Sequence, residues 1–227
     1  MIKGTMRKII YLIVFTGIFS ITGIVGQSNQ FAEKSDPEAD RILDRLSKKM
    51  DAYKAYRVDF DVQIDVPDQD DENETGYLLH SGNKFIFDIP SQKIVANERS
   101  VYVHLKRDKE IQINDPDFGD DGSLLSPAQM MRIHETEDFI FVITDKNDQL
   151  TTIEFKPTDE FSDYSKVKVV IDHNQLVMQK MTIFSKDGSR IYLSIHDFIE
   201  NPNLSADAFN FDVKAYPDCY VEDLRID

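Results

Sequence analysis

From Val58 to Val66 the chain alternates without exception: Val58, Phe60, Val62, Ile64 and Val66 share one face, and Asp59, Asp61, Gln63 and Asp65 share the other. That period of two belongs to a strand with one buried and one wetted face, because helical geometry would scatter the same residues around an axis. Such a strand needs neighbours on its edges and a cover for its apolar side. The three aspartates lie in a row instead of converging on a point, so they read as a solvated face and not as a metal cluster. The acidic run Pro67 to Glu74 lacks the internal glycine and distal glutamate of an EF-hand and reads as a hairpin connection.

Neighbours are available. Short strand candidates follow at Gly76 to His80, Lys84 to Ile89, Gln92 to Ala96, Val101 to Leu105 and Lys109 to Ile113. Others come at Phe139 to Thr144, Leu150 to Phe155, Val167 to Ile171, Leu176 to Phe184 and Arg190 to Ile195. Turn-formers such as Ser81-Gly82-Asn83 and Lys186-Asp187-Gly188 separate them, which predicts an antiparallel meander, sandwich or barrel. No solenoid-length repeat and no low-complexity linker divides the chain.

Two helices interrupt the strands. Asp36 is placed to cap the first, Pro37 takes its first position, and Ala39, Ile42, Leu43, Leu46, Met50 and Tyr53 form an apolar stripe. Its acidic start (Glu38, Asp40) and basic end (Lys48, Lys49, Lys54) suit the helix dipole. The second is expected within Ser123 to Phe141, capped by Ser126, with Pro127 at its first position and Met130, Met131 and Ile133 as its apolar residues. Methionine adapts to irregular shapes, so this helix is a candidate lid over an apolar ligand; the filling of an ordinary core is the plain alternative. The strands meanwhile carry Phe60, Phe85, Phe87, Phe141, Met178 and Met181 on their apolar faces, and two short helices are little cover for them. The shortage points to a cavity, whereas a second sheet would make a packed sandwich.

Lys3, Arg7 and Lys8 precede an apolar run from Ile9 to Val25, which polar and small residues interrupt before it reaches the roughly 20 residues of a membrane span. Residues 1–26 therefore read as a secretory signal peptide cleaved near Gly26, with residues 27–227 as a single domain. The chain holds 26 bases against 41 acids, a net charge of −15, and the leader removes three bases and no acid. That acidity argues against nucleic acid and against docking on anionic lipid.

The five histidines (His80, His104, His134, His173, His196) show no metal-binding spacing, and no nucleophile elbow, phosphate loop or dinucleotide fingerprint is present. The lone Cys219 has no intramolecular disulfide partner and no basic residue close in sequence, and reads as a packed or half-exposed residue. The inventory favours binding: not an enzyme, no metal, no cofactor.

The order of several segments resembles a known family. They are the opening helix from Ala39 to Tyr56 running into VDFDVQI, SGNKFIFDI (Ser81 to Ile89), QKIVANERSVYVH (Gln92 to His104), KEIQINDPD (Lys109 to Asp117) and LSPAQMMRIHE (Leu125 to Glu135) before EDFIFVI. The tail IHDFIENPNLSADAFNFDVKAYP (Ile195 to Pro217) and VEDLR (Val221 to Arg225) complete the set. Together they are similar to the LolA-type outer-membrane lipoprotein carriers in their Bacteroidetes-like variant. The resemblance implies a mainly β fold with some α, an incomplete antiparallel β-barrel (half-barrel) closed by short helices around an apolar cavity. It implies a periplasmic monomer that takes acylated lipoproteins from an ATP-driven inner-membrane complex and carries them toward an outer-membrane receptor. On that reading Phe60, Val62, Phe85, Phe87, Val103, Phe141, Met178, Met181 and Ile183 are the cavity wall, and Met130, Met131 and Ile133 the lid. The alternative is a sensor or regulatory domain on the same half-barrel. One departure stands out: an Arg-Pro pair ties the lid shut in proteobacterial carriers, where this chain has Ser81-Gly82-Asn83-Lys84, and a lysine lacks the planar fork of arginine.

Overall fold

The computed structural model describes residues 34–116 and 133–225. Helix α1 (Pro37–Asp51) begins at the expected cap, where the Asp36 carboxylate accepts from the Glu38 N–H at 2.7 Å and Pro37 sits in the first turn. Its buried side is Ala39, Ile42, Leu43 and Leu46, the predicted stripe. The strands are β1 (Tyr56–Asp65), β2 (Glu72–Ser81), β3 (Lys84–Asp88), β4 (Gln92–Ala96), β5 (Val101–Leu105) and β6 (Glu110–Asn114). After residue 132 come β7 (Phe139–Lys146), β8 (Leu150–Pro157), β9 (Tyr164–Asp172), β10 (Val177–Ser185), β11 (Arg190–Glu200) and β12 (Tyr220–Asp223).

All twelve strands form one sheet in the order β12-β6-β5-β4-β3-β2-β1-β11-β10-β9-β8-β7. Every pairing is antiparallel except that of β12 with β6. The sheet does not close on itself, and β12 and β7 are its free edges. This is an incomplete barrel, mainly β, with one α-helix among the described residues.

Alternation divides the apolar residues between two faces. On the inner face, α1 packs against Phe141, Ile153, Phe155 and Ile171; Val58, Phe60 and Ile64 pack with Ile89 and Ile191; and Phe85, Ile94, Val101 and Val103 form a third cluster. Ile86 and Val95, one residue out of phase, point the other way. The segment after β11 crosses that outer face and covers them with Phe209, flanked by Leu204 and Phe211, before β12 joins β6. No helix among the described residues is long and apolar enough to cross a membrane.

One expected element is only partly described. Of the lid helix sought within Ser123 to Phe141, most lies outside the described residues, including Met130 and Met131. Within them, Ile133–Glu135 is a 3-10 turn, and the strand expected from Phe139 is β7, whose alternating aromatic and β-branched residues suit pairing with β8. Lys84 faces the outer side, where its Nζ lies 3.5 Å from Glu98 Oε1 and 5.9 Å over the Phe209 ring.

Candidate functional site

The inner face of the sheet meets α1 over an apolar cavity of about 210 Å³. Strand β1 supplies Tyr56, Val58, Phe60 and Val62 by simple alternation. Leu78 of β2, Phe85 and Phe87 of β3 and Ile94 of β4 continue the wall, with the Phe60 and Phe87 rings stacked 5.4 Å apart. Leu46 and Met50 of α1 form the cover.

The remaining wall depends on two irregularities. In β11, Ile191, Leu193 and Ile195 alternate inward, yet Phe198, three residues further, also lines the cavity. Asp59 pairs with Asp197 and Phe60 with Ile195, so His196 has no partner on β1. This bulge resets the alternation and returns the Phe198 ring to the inner face. In β10, Met178 pairs with Ile171 and Lys180 with Val170, which leaves Gln179 bulged. Met178 and Met181 thus share the cavity face with Ile183 despite their different parity.

Among the described residues the lining holds no charged side chain, and its one hydroxyl, on Tyr56, is pushed well above the ordinary phenol range chiefly by burial. Tyr56 stacks on Phe198 at 5.7 Å and on His80 at 4.7 Å. Burial holds His80 below the usual imidazole value, which favours its neutral form beside Tyr56. A cavity of this kind can exclude water from hydrocarbon.

Of the residues singled out in the sequence, Phe60, Val62, Phe85, Phe87, Met178, Met181 and Ile183 line this cavity. Val103 does not; it is fully buried behind the wall, among Phe85 and Ile94. Phe141 lies instead in the core beneath α1, 5.4 Å from the Phe155 ring, and Ile133 packs against the same cluster. Leu46, Met50, Leu78 and Phe198 were not foreseen in the wall. The stripe on α1 carried the signal for the first two, whereas Phe198 was hidden by the bulge.

Other clusters lie elsewhere. Asp44, His134 and Glu135 bring possible ligand atoms within 4.8 Å of one another, with His134 Nε2 3.4 Å from Asp44 Oδ1. Cys219 Sγ lies 3.6 Å from His104 Nε2, a neighbour its sequence surroundings did not reveal. Burial, aided by Lys106 and Lys93, holds the His104 imidazole below its usual value, so it brings no fixed positive charge to the sulfur.

Comparison with known proteins agrees with this architecture. The profile of the family described as outer membrane lipoprotein carrier protein LolA matches residues 79–212, more than half of the chain. The chain belongs to the LolA family. Among solved structures, this LolA-family chain is similar to an uncharacterized conserved protein from Thermus thermophilus, with a TM-score of 0.54 and 12% identity over 83% of this chain and 99% of that one. At that identity the likeness speaks to the fold alone. A LolA superfamily protein from Nitrosomonas europaea aligns with a TM-score of 0.40 and 15% identity over 76% of this chain and 97% of that one. A chain of the Pseudomonas aeruginosa MucA/MucB complex aligns with a TM-score of 0.40 and 12% identity over 81% of this chain and 63% of that one. Comparison with curated proteins gives no match.

Proposed function

We propose that this LolA-family protein is a periplasmic carrier that shields the acyl chains of lipoproteins on their way between the inner and outer membranes. On this reading residues 1–26 direct export and are removed near Gly26. The carrier works without a cofactor and without catalysis, as a monomer that receives cargo from an ATP-driven inner-membrane complex and delivers it to an outer-membrane receptor.

The observation that carries the reading is the cavity lining, in which α1 and both halves of the sheet turn apolar side chains toward one space. Each methylene removed from water contributes about 0.8 kcal/mol, so one chain of some fifteen methylenes is worth roughly 12 kcal/mol. Cargo held so strongly needs a driven partner for transfer. The cavity of about 210 Å³ falls below the roughly 300–1,000 Å³ of ordinary ligand pockets, so entry of a chain requires its walls to move. Met50, Met178 and Met181 supply flexible wall for that purpose.

The test is to incubate the purified protein with spheroplasts of an envelope-bearing bacterium and analyse the soluble fraction by mass spectrometry. Recovery of acylated peptides bound to the protein is expected. Stable capture of a protein partner with no acyl group, while an established carrier releases lipoproteins in parallel, would replace this reading with that of a sensor domain.

A further inference from the structure

Strands β10 and β11 are hydrogen-bonded neighbours for only part of their length. Their ladder runs from Phe184 with Arg190 to Lys180 with Ser194 and stops there. Beyond it, Ile195 to Glu200 pair with β1 alone, apart from the bulged His196, while Val177 and Met178 pair with β9. The two bulged residues, Gln179 and His196, flank the point of divergence. Bulges increase local twist, and two of them side by side drive the strands apart.

The result is an open slot of about 500 Å³ in the wall of the half-barrel. Val177, Ile195 and Phe198 line both the slot and the apolar cavity, so these side chains stand between the two spaces. The outer rim is polar, with Lys49, Gln175, Gln179, His196, Asp197 and Glu200. Lys49 Nζ donates to the Gln175 carbonyl at 2.8 Å, and the Tyr53 hydroxyl donates to Glu200 Oε1 at 2.6 Å. These bonds fix the end of α1 to both sides of the opening.

Along the slot β11 has no strand on its β10 side. The Asn201 N–H donates to the Ala55 carbonyl at 2.8 Å, which sets the phase of the β1–β11 ladder. Antiparallel alternation then turns the N–H and C=O of Phe198 toward β10. The Phe198 N–H reaches the carboxylate of the adjacent Asp197 at 2.9 Å in place of a strand. A strand edge without a partner strand accepts an extended peptide, here once the Asp197 carboxylate gives up the Phe198 N–H.

We infer that the slot seats the polar end of an acylated polypeptide: the acyl chains pass inward beside Val177, Ile195 and Phe198, and the first residues of the peptide lie extended along the free edge of β11. This assignment rests on the carrier reading. The chemistry of the cargo demands such a division, because peptide amides buried in the hydrocarbon cavity would lose their hydrogen bonds. At the slot the same amides meet backbone partners and a polar rim within reach of the apolar wall.

Amide hydrogen exchange on the wild-type protein tests it with two probes. One is a synthetic hexapeptide bearing a dipalmitoylglyceryl group on its N-terminal cysteine; the other is palmitate, which has no peptide. The lipopeptide is expected to slow exchange across 195–199 by about tenfold or more, and palmitate to leave those amides at their unliganded rate. Filling the slot with Gln179→Trp is expected to weaken lipopeptide binding by about tenfold and palmitate binding by less than about twofold. Lipopeptide binding without protection of 195–199 would overturn the slot assignment and leave the carrier reading intact. Failure of both probes to bind the wild-type protein would remove the carrier reading and the assignment together.

Discussion

Gly76 shows how closely single positions are fitted. A Cβ built there would stand 2.3 Å from the Asp88 carbonyl oxygen and 2.5 Å from Ile89 Cγ2, and backbone cannot move aside as a side chain can. Gly76→Ala is expected to cost about 1–3 kcal/mol, read as a lower urea midpoint. His80 and His104 contribute to the pH response below 6.5. Burial is the main reason both lie below 6.5, so the unfolded chain takes up protons at these sites before the folded one does. Their contribution is complete above pH 6.5 and is lost as pH falls from 6.5 through the folded values. The thermal midpoint is therefore expected to drop over that window, and the double variant His80→Gln, His104→Gln to flatten the drop. Phe60 and Val62 were legible at this scale because period-two alternation assigns a face directly. Phe198 was not, since the bulge at His196 depends on the partner strand, and the contact of Cys219 with His104 joins residues far apart in sequence.

Helix α1 was legible as an element because its cap, its first-turn proline and its stripe agree. Its ends are held by different means: the Asp36 N–H donates to the Phe141 carbonyl at 2.8 Å, while Lys49 reaches the turn before β10. Asp36→Ala leaves the backbone bond and removes the cap, with an expected loss of about 0.5–2 kcal/mol in chemical unfolding. The antiparallel strands could be read with errors of a few residues at their ends. Strand β12 could not, because Tyr220–Asp223 is short, has no alternating pattern, and owes its existence to parallel pairing with a strand about a hundred residues earlier. The strand expected from Phe139 to Thr144 is present as β7. Apolar spacing in Phe139-Ile140-Phe141 fits a strand at least as well as a helix end, and pairing with β8 decides between them.

At the scale of the whole molecule the sheet has two apolar faces with different tasks. The inner face is divided between packed core and open cavity, and the outer face is covered by the segment leading to β12. Phe209→Ala is expected to cost about 3–5 kcal/mol of stability, because its ring covers Ile86 and Val95, and to leave ligand affinity unchanged. The half-barrel was visible in the sequence through the succession of short strands and the family resemblance. The slot was not, since it arises where two bulges on neighbouring strands coincide. The central claim is that acyl chains occupy the cavity, and calorimetric titration of palmitate into the wild-type protein, Phe209→Ala and Phe87→Asp tests it most directly. Wild type and Phe209→Ala are expected to bind equally with a negative heat-capacity change, and Phe87→Asp, folded by circular dichroism, to bind at least about a hundredfold more weakly. Wild-type affinity in a folded Phe87→Asp protein would contradict the account.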